Sequence, residues 1–286
     1  MVAVLEVKKF MGEVSSYKDM KLEDLIKDYS DELDEHRSWL KPFGCQRLTK
    51  WENLLKDNAE AAICEAATRK ILSDHGVKVD PNEDISTGGP DFLCVKNNKR
   101  FYVEATCITK ETATKKTGLS NTPPGTSKVQ RFALLTKRIF YEIRSKTTQC
   151  SNLGAPCVIA IGTLHFQVGC ICFNKHAAEQ LLTGTTFITA PINTQTGQAM
   201  REPYEATDLQ DSVFIRPVNI SPNEIEYARS PISAVLLCPF GSLPTKVIGV
   251  LHPNPNHNFD RTLLSGIKFC RLAKGYQTGQ FQVEWT

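Results

Sequence analysis

Two acids thirteen positions apart, Asp91 and Glu104, carry the clearest chemical signal in the chain, and Glu65 is a third. Carboxylates that converge repel one another unless something positive lies between them. A hard divalent cation, bound through oxygens and keeping several waters, is the chemistry such a group would support. Whether these acids meet is decided by the elements around them.

The runs Asp91 to Val95 and Phe101 to Ile108 read as strands, separated by a turn at Asn97-Asn98. Asparagine tolerates positive φ, so this pair can form a two-residue hairpin turn. Lys96 then opposes Lys99, and the numbers of every facing pair add to 195. In that register Asp91 stands opposite Glu104 on one face, with β-carbons about 5 Å apart. A longer loop or a bulge would separate them. Each acid alone also has an ordinary use, Asp91 at the end of a turn and Glu104 on a strand surface.

Upstream, Trp51 to Asp74 reads as one helix closed by His75-Gly76. At 100° per residue, Lys56, Asp57, Glu60, Lys70 and Asp74 share one side, so Glu60 reads as a solvated acid. Glu65 falls among Leu54, Leu55, Ala61, Ala62, Ala66 and Leu72 on the other. An unpaired carboxylate there is costly and demands a partner. Arg69, four residues on, offers an intrahelical ion pair, and a metal ion is the alternative.

The run GGPDFLCV, a short turn and RFYVEAT, with a core-side Glu65 in the preceding helix, resembles the PD-(D/E)XK nuclease superfamily over roughly residues 50–110. Pro90-Asp91 matches its first element, Glu104 its second and Glu65 its helical acid. The resemblance implies an α/β fold, a restriction-endonuclease-like mixed central β-sheet flanked by helices. It also implies metal-dependent hydrolysis of DNA phosphodiesters, with RNA as the other nucleic-acid substrate class. Asp91, Glu104, the Ala105 carbonyl and Glu65 would then hold Mg²⁺, with Mn²⁺ as a substitute. Cutting both strands of DNA calls for two sites, hence a homodimer. The family's third element is a lysine two residues after the second acid, and Thr106 stands there. A hydroxyl can orient water but supplies no positive charge. Replacement is expected from Lys110, Lys115 or Lys116, or from Lys128, Gln130 or Arg131. A nuclease-fold protein without catalysis, binding nucleic acid or protein, follows equally from Thr106. An unrelated α/β scaffold with incidental acids is the third reading.

Charge is unevenly placed. Residues 1–40 carry six Lys/Arg against ten Asp/Glu, whereas residues 96–146 carry twelve Lys/Arg against three Glu. The second stretch, with Lys115, Lys116, Lys128, Gln130, Arg131, Lys137 and Arg138 as candidate contacts, suits a phosphate backbone. A Lys-rich, solvated helix face has the same composition.

Length and composition permit one large core, with 286 residues, 41% hydrophobic and 23% charged. No apolar run is membrane-length and the first residues are too charged for a signal peptide, so the expectation is a cytoplasmic protein. The ten cysteines show no CxxC and read as structural thiols. Gly125 to Lys128 misses the order of a phosphate-binding loop, and His252 and His257 miss zinc-protease spacing. There is also no GxSxG run for an acyl-transfer serine. Residues 1–50 read as a polar helical extension and 51–286 as the main domain, with an insertion near 184–230. Thr109 to Ser127, rich in Thr, Lys, Gly and Pro, reads as an exposed loop, and Lys128 to Ser145 as a basic amphipathic helix.

Overall fold

A computed structural model describes residues 26–83, 88–119, 143, 146–147, 150–151, 153–190, 192–200, 202, 204–208, 212, 214–220, 225–241, 246–273 and 282–286. Among the described residues, the helices α1 (Ser30–Leu40), α2 (Cys45–Asp57) and α3 (Ala59–Asp74) precede the sheet. The strands β1 (Lys78–Pro81), β2 (Phe92–Lys96) and β3 (Lys99–Cys107) follow, then the short helix α4 (Lys110–Thr117) and β4 (Cys157–Gly162). Helices α5 (Phe166–Cys172) and α6 (Lys175–Thr183) lead to two small hairpins, β5 (Thr185–Thr189) with β6 (Tyr204–Asp208) and β7 (Pro217–Ile220) with β8 (Ile225–Tyr227). The chain then returns to the main sheet through β9 (Ile232–Cys238), β10 (Ile248–Leu251), β11 (Lys268–Leu272) and β12 (Val283–Trp285).

The main sheet has eight strands in the order β1-β2-β3-β4-β9-β10-β11-β12. The first three are antiparallel neighbours, while β3, β4 and β9 run parallel. A mixed sheet with helices on its faces is therefore the α/β architecture expected from the sequence. Its central strands are apolar without alternation because both faces are covered. In β4, Val158 and Ala160 enter one core layer beneath the N-terminal helices, with Ile63, Ala66, Phe92 and Phe101. Ile159 and Ile161 enter the other, with Val168, Leu181 and Leu182 of α5 and α6.

Two local expectations change. The helix expected over Trp51 to Asp74 is two helices, broken at Asn58 (φ −151°, ψ 78°), whose side chain accepts from the Ala61 N–H at 3.1 Å. Asparagine offers its own oxygen to the free N–H groups of a helix start, and here that cap wins over continuation. Within the stretch read as a polar helical extension, Leu33 and Leu40 of α1 are buried in the main core. The stretch expected as a loop after Thr109 opens with helix α4: Thr109 caps it by accepting from the Thr112 N–H, and Gly118 (φ 69°) ends it in the left-handed region. Ala113 and Thr117, four apart, bury its inner face. The small hairpins β5-β6 and β7-β8 stand apart from the main sheet, in the stretch read as an insertion. No helix among the described residues is long and apolar enough to cross a membrane.

Candidate active site

The hairpin turn sets the geometry. Asn97 and Asn98 have φ of 51° and 59°, and they are the only non-glycine residues at positive φ among those described. Lys96 pairs with Lys99 and Phe92 with Val103, which is the register expected from a two-residue turn. Asp91 immediately precedes the last pair and so comes alongside Glu104. Its Oδ2 accepts from the Ala105 N–H at 2.7 Å, which locks the carboxylate onto the end of β3. Asn82 holds the approach to this point from below: its Nδ2 donates to the Pro90 carbonyl at 2.9 Å and its N–H to the Asp91 carbonyl at 2.8 Å. Gly88 (φ 77°) and Gly89 (φ 123°) supply the bend just before Pro90, in backbone conformations that side chains disfavour.

Glu104 is 2% exposed. Lys146 places its Nζ 2.5 Å from Glu104 Oε1, while Oε2 is buried with no hydrogen-bond partner among the described residues. Glu65, Glu83, Asp91 and Glu104 all line one cavity of about 420 Å³, together with Ala105, Thr106, Cys107 and Lys146. Trp39, Leu40 and Leu54 form its apolar wall, and Arg47 and Lys50 bring positive charge to it. Lys50 pairs with Glu83 at 2.6 Å.

Electrostatics follow from this crowding. Burial, then the neighbouring carboxylates of Glu104, Glu65 and Glu83, push the Asp91 carboxyl well above its ordinary range against the Ala105 N–H. Burial also raises Glu104, opposed by the Lys146 ammonium and reinforced by Glu83. Four carboxylates thus line the cavity against three basic side chains, Lys146, Lys50 and Arg47, and the crowding that raises Asp91 is relieved by a proton or a bound cation.

Glu65 does not use Arg69. That guanidinium pairs with Glu35 at 2.7 Å and lies 5.6 Å over the Trp39 ring. Among the described residues the base paired with Glu65 is His36, with Nε2 at 3.6 Å from Oε1, too far for a hydrogen bond. His36 is fully buried, stacked 4.7 Å from Trp51, and neither ring nitrogen has a hydrogen-bond partner among the described residues. Glu60, expected to be solvated, is part-buried and accepts from the Lys110 N–H at 2.8 Å, with burial raising its pKa.

The sequence-derived residues therefore separate into groups. Asp91, Glu104, Ala105, Thr106 and Glu65 come together at one cavity. Lys110, Lys115 and Lys116 belong to α4 and are not among the residues lining it. Lys128, Gln130, Arg131, Lys137 and Arg138 lie outside the described residues. Lys146 and Glu83 were not singled out by sequence. Lys146 ends the basic stretch, so the signal lay in its charge but not in its place, because helical phase over so long a run is not legible without a fixed start. Glu83 follows the Pro81-Asn82 turn, where no periodicity marks it.

A divalent cation fits part of this set. Asp91, Glu104 and the Ala105 carbonyl offer hard oxygen donors, and the orphaned Glu104 Oε2 is a buried acceptor in need of a partner. A closed cage is not formed: among the described residues no three His, Cys, Asp or Glu side chains converge as a metal-holding group. The arrangement suits an ion held by two carboxylates and completed by water. Compared with family models, with curated proteins and with solved structures, the chain matches none.

Proposed function

We propose that the protein is a metal-dependent nuclease with a restriction-endonuclease-like core, hydrolysing phosphodiester bonds of DNA at the Asp91–Glu104 cavity. The observation that carries this reading is the convergence, through one hairpin register, of two acids, Asp91 half-buried and Glu104 buried, with a lysine on the second of them. The run of helix, antiparallel hairpin and parallel fourth strand around these acids supports it.

Asp91, Glu104 and the Ala105 carbonyl would hold Mg²⁺ or Mn²⁺ in this scheme, and Glu65 and Glu83 add negative potential at the same cavity. When bound, the ion polarises the phosphoryl group and lowers the pKa of a water. Lys146 supplies the positive charge that Thr106 lacks, close to where the pentacoordinate phosphorus would carry its extra negative charge. The Thr106 hydroxyl orients the attacking water. Arg47 and Lys50 neutralise phosphates flanking the scissile one, and the basic stretch 96–146 grips the backbone beyond it. Cutting both strands would use a second copy of the chain.

Incubating the protein with supercoiled and linear DNA in Mg²⁺, Mn²⁺ or EDTA tests the reading. Cleavage that requires metal and is lost in Asp91→Asn supports it; nicking that survives EDTA, or an undiminished variant, contradicts it. A second reading, nucleic-acid binding without hydrolysis, is favoured by the seat of Lys146 itself, since an ammonium 2.5 Å from Glu104 already offsets that acid. Salt-sensitive DNA binding with no cleavage in either metal distinguishes it.

A further inference from the structure

Two thiols meet at the cavity, Cys107 in its wall and Cys64 behind it. Cys64, beside Glu65 on α3, and Cys107, beside Thr106 at the end of β3, are 43 positions apart, and the Cys64 S–H donates to the Cys107 sulfur at 3.2 Å. Their chemistry differs by location. Cys64 is buried. Its sulfur occupies the room left by Gly162, where an added β-carbon would lie 2.7 Å from it, so the side chain is held in place. Cys107 is only half-buried and lines the cavity, so of the two it is the residue a small solute there meets first. Cys150 and Cys157 also approach, at 2.7 Å, but both are buried in the second core layer and neither lines that cavity.

We propose that Cys64 and Cys107 form an oxidative modification site, converted to a disulfide by a peroxide that enters the cavity. The Cys107 sulfur attacks one peroxide oxygen and the O–O bond breaks, giving a sulfenic acid and one water. The Cys64 sulfur then attacks the Cys107 sulfur and the S–O bond breaks, the Cys64 proton leaving with the hydroxyl as a second water. Two thiols and one peroxide become one disulfide and two waters; the sulfurs give up two electrons and the peroxide takes them. A disulfide bond measures about 2.05 Å, so the sulfurs need to close by only about 1 Å. The cross-link joins α3 to the end of β3 beside Glu65 and Thr106, and it does not depend on whether the acids hydrolyse DNA.

Peptide mapping of the folded full-length chain tests this. The protein is treated with hydrogen peroxide, denatured, alkylated with N-ethylmaleimide and digested. The expected product is one linked pair of peptides carrying Cys64 and Cys107, lighter than their sum by two hydrogens and separated by dithiothreitol. Recovery of both cysteines alkylated, or of Cys107 overoxidised with Cys64 alkylated, overturns the proposal. In Cys64→Ala, dimedone labelling of Cys107 should rise by about tenfold, because the sulfenic acid has lost its resolving thiol; equal labelling in the wild type contradicts that role. Cys64→Ser provides the same readout should the alanine variant fail to fold.

Discussion

At the scale of single residues, Asp91 and Lys146 make separable contributions. Asp91→Asn keeps an oxygen for the Ala105 N–H while removing a half-buried carboxyl crowded by Glu104, Glu65 and Glu83. Thermal stability should hold or rise, whereas metal-dependent cleavage should fall by about a thousandfold if the carboxylate binds the ion. Lys146→Met leaves the Glu104 carboxylate buried and uncompensated, at about 3–5 kcal/mol by chemical denaturation. Adding Glu104→Gln to that variant should recover most of the loss, which a double-mutant cycle measures. Thr106 shares a strand face with Glu104, two residues on, so Thr106→Lys in the Lys146→Met background should restore part of the cleavage. No gain there would separate Lys146 from the role assigned to it.

The elements explain why those residues meet. The hairpin was legible in the sequence because a two-residue asparagine turn leaves one register, and the observed pairs Lys96–Lys99 and Phe92–Val103 follow it. Replacing Asn97 and Asn98 together by alanine puts side chains without local hydrogen bonds into positive φ, at about 1–2 kcal/mol per residue. Denaturant midpoints should fall accordingly, and cleavage with them as Asp91 slips from Glu104. Helix α4 was not legible: Thr and Lys dominate its composition, and what selects the helix is the Thr109 cap with burial of Ala113 and Thr117 against the rest of the chain. Nor was the break at Asn58, since apolar periodicity continues across it and only the cap reveals it. The charge-bearing partner of Glu104 was hidden for a related reason. A long basic run announces its charge but not which of its lysines reaches the sheet.

Across the whole molecule, a sheet buried on both faces keeps titratable groups neutral away from the candidate site. His165 and His252 are buried, and burial lowers each to about 4 from 6.5. A base held below its unfolded value contributes stability that is complete above pH 6.5 and lost as pH falls towards 4. The loss is at most about 3 kcal/mol for each histidine. His165 caps α5 by accepting from the Val168 N–H at 3.2 Å, and His165→Asn should keep the cap while flattening the pH dependence of unfolding over that window. The opposite imbalance exists at the cavity, where four carboxylates line one space beside Lys146. Isothermal titration of Mn²⁺ into the folded chain at neutral pH tests that convergence most directly. The expected result is saturable uptake at a site abolished by Asp91→Asn; absence of uptake, or uptake unchanged in that variant, would contradict it.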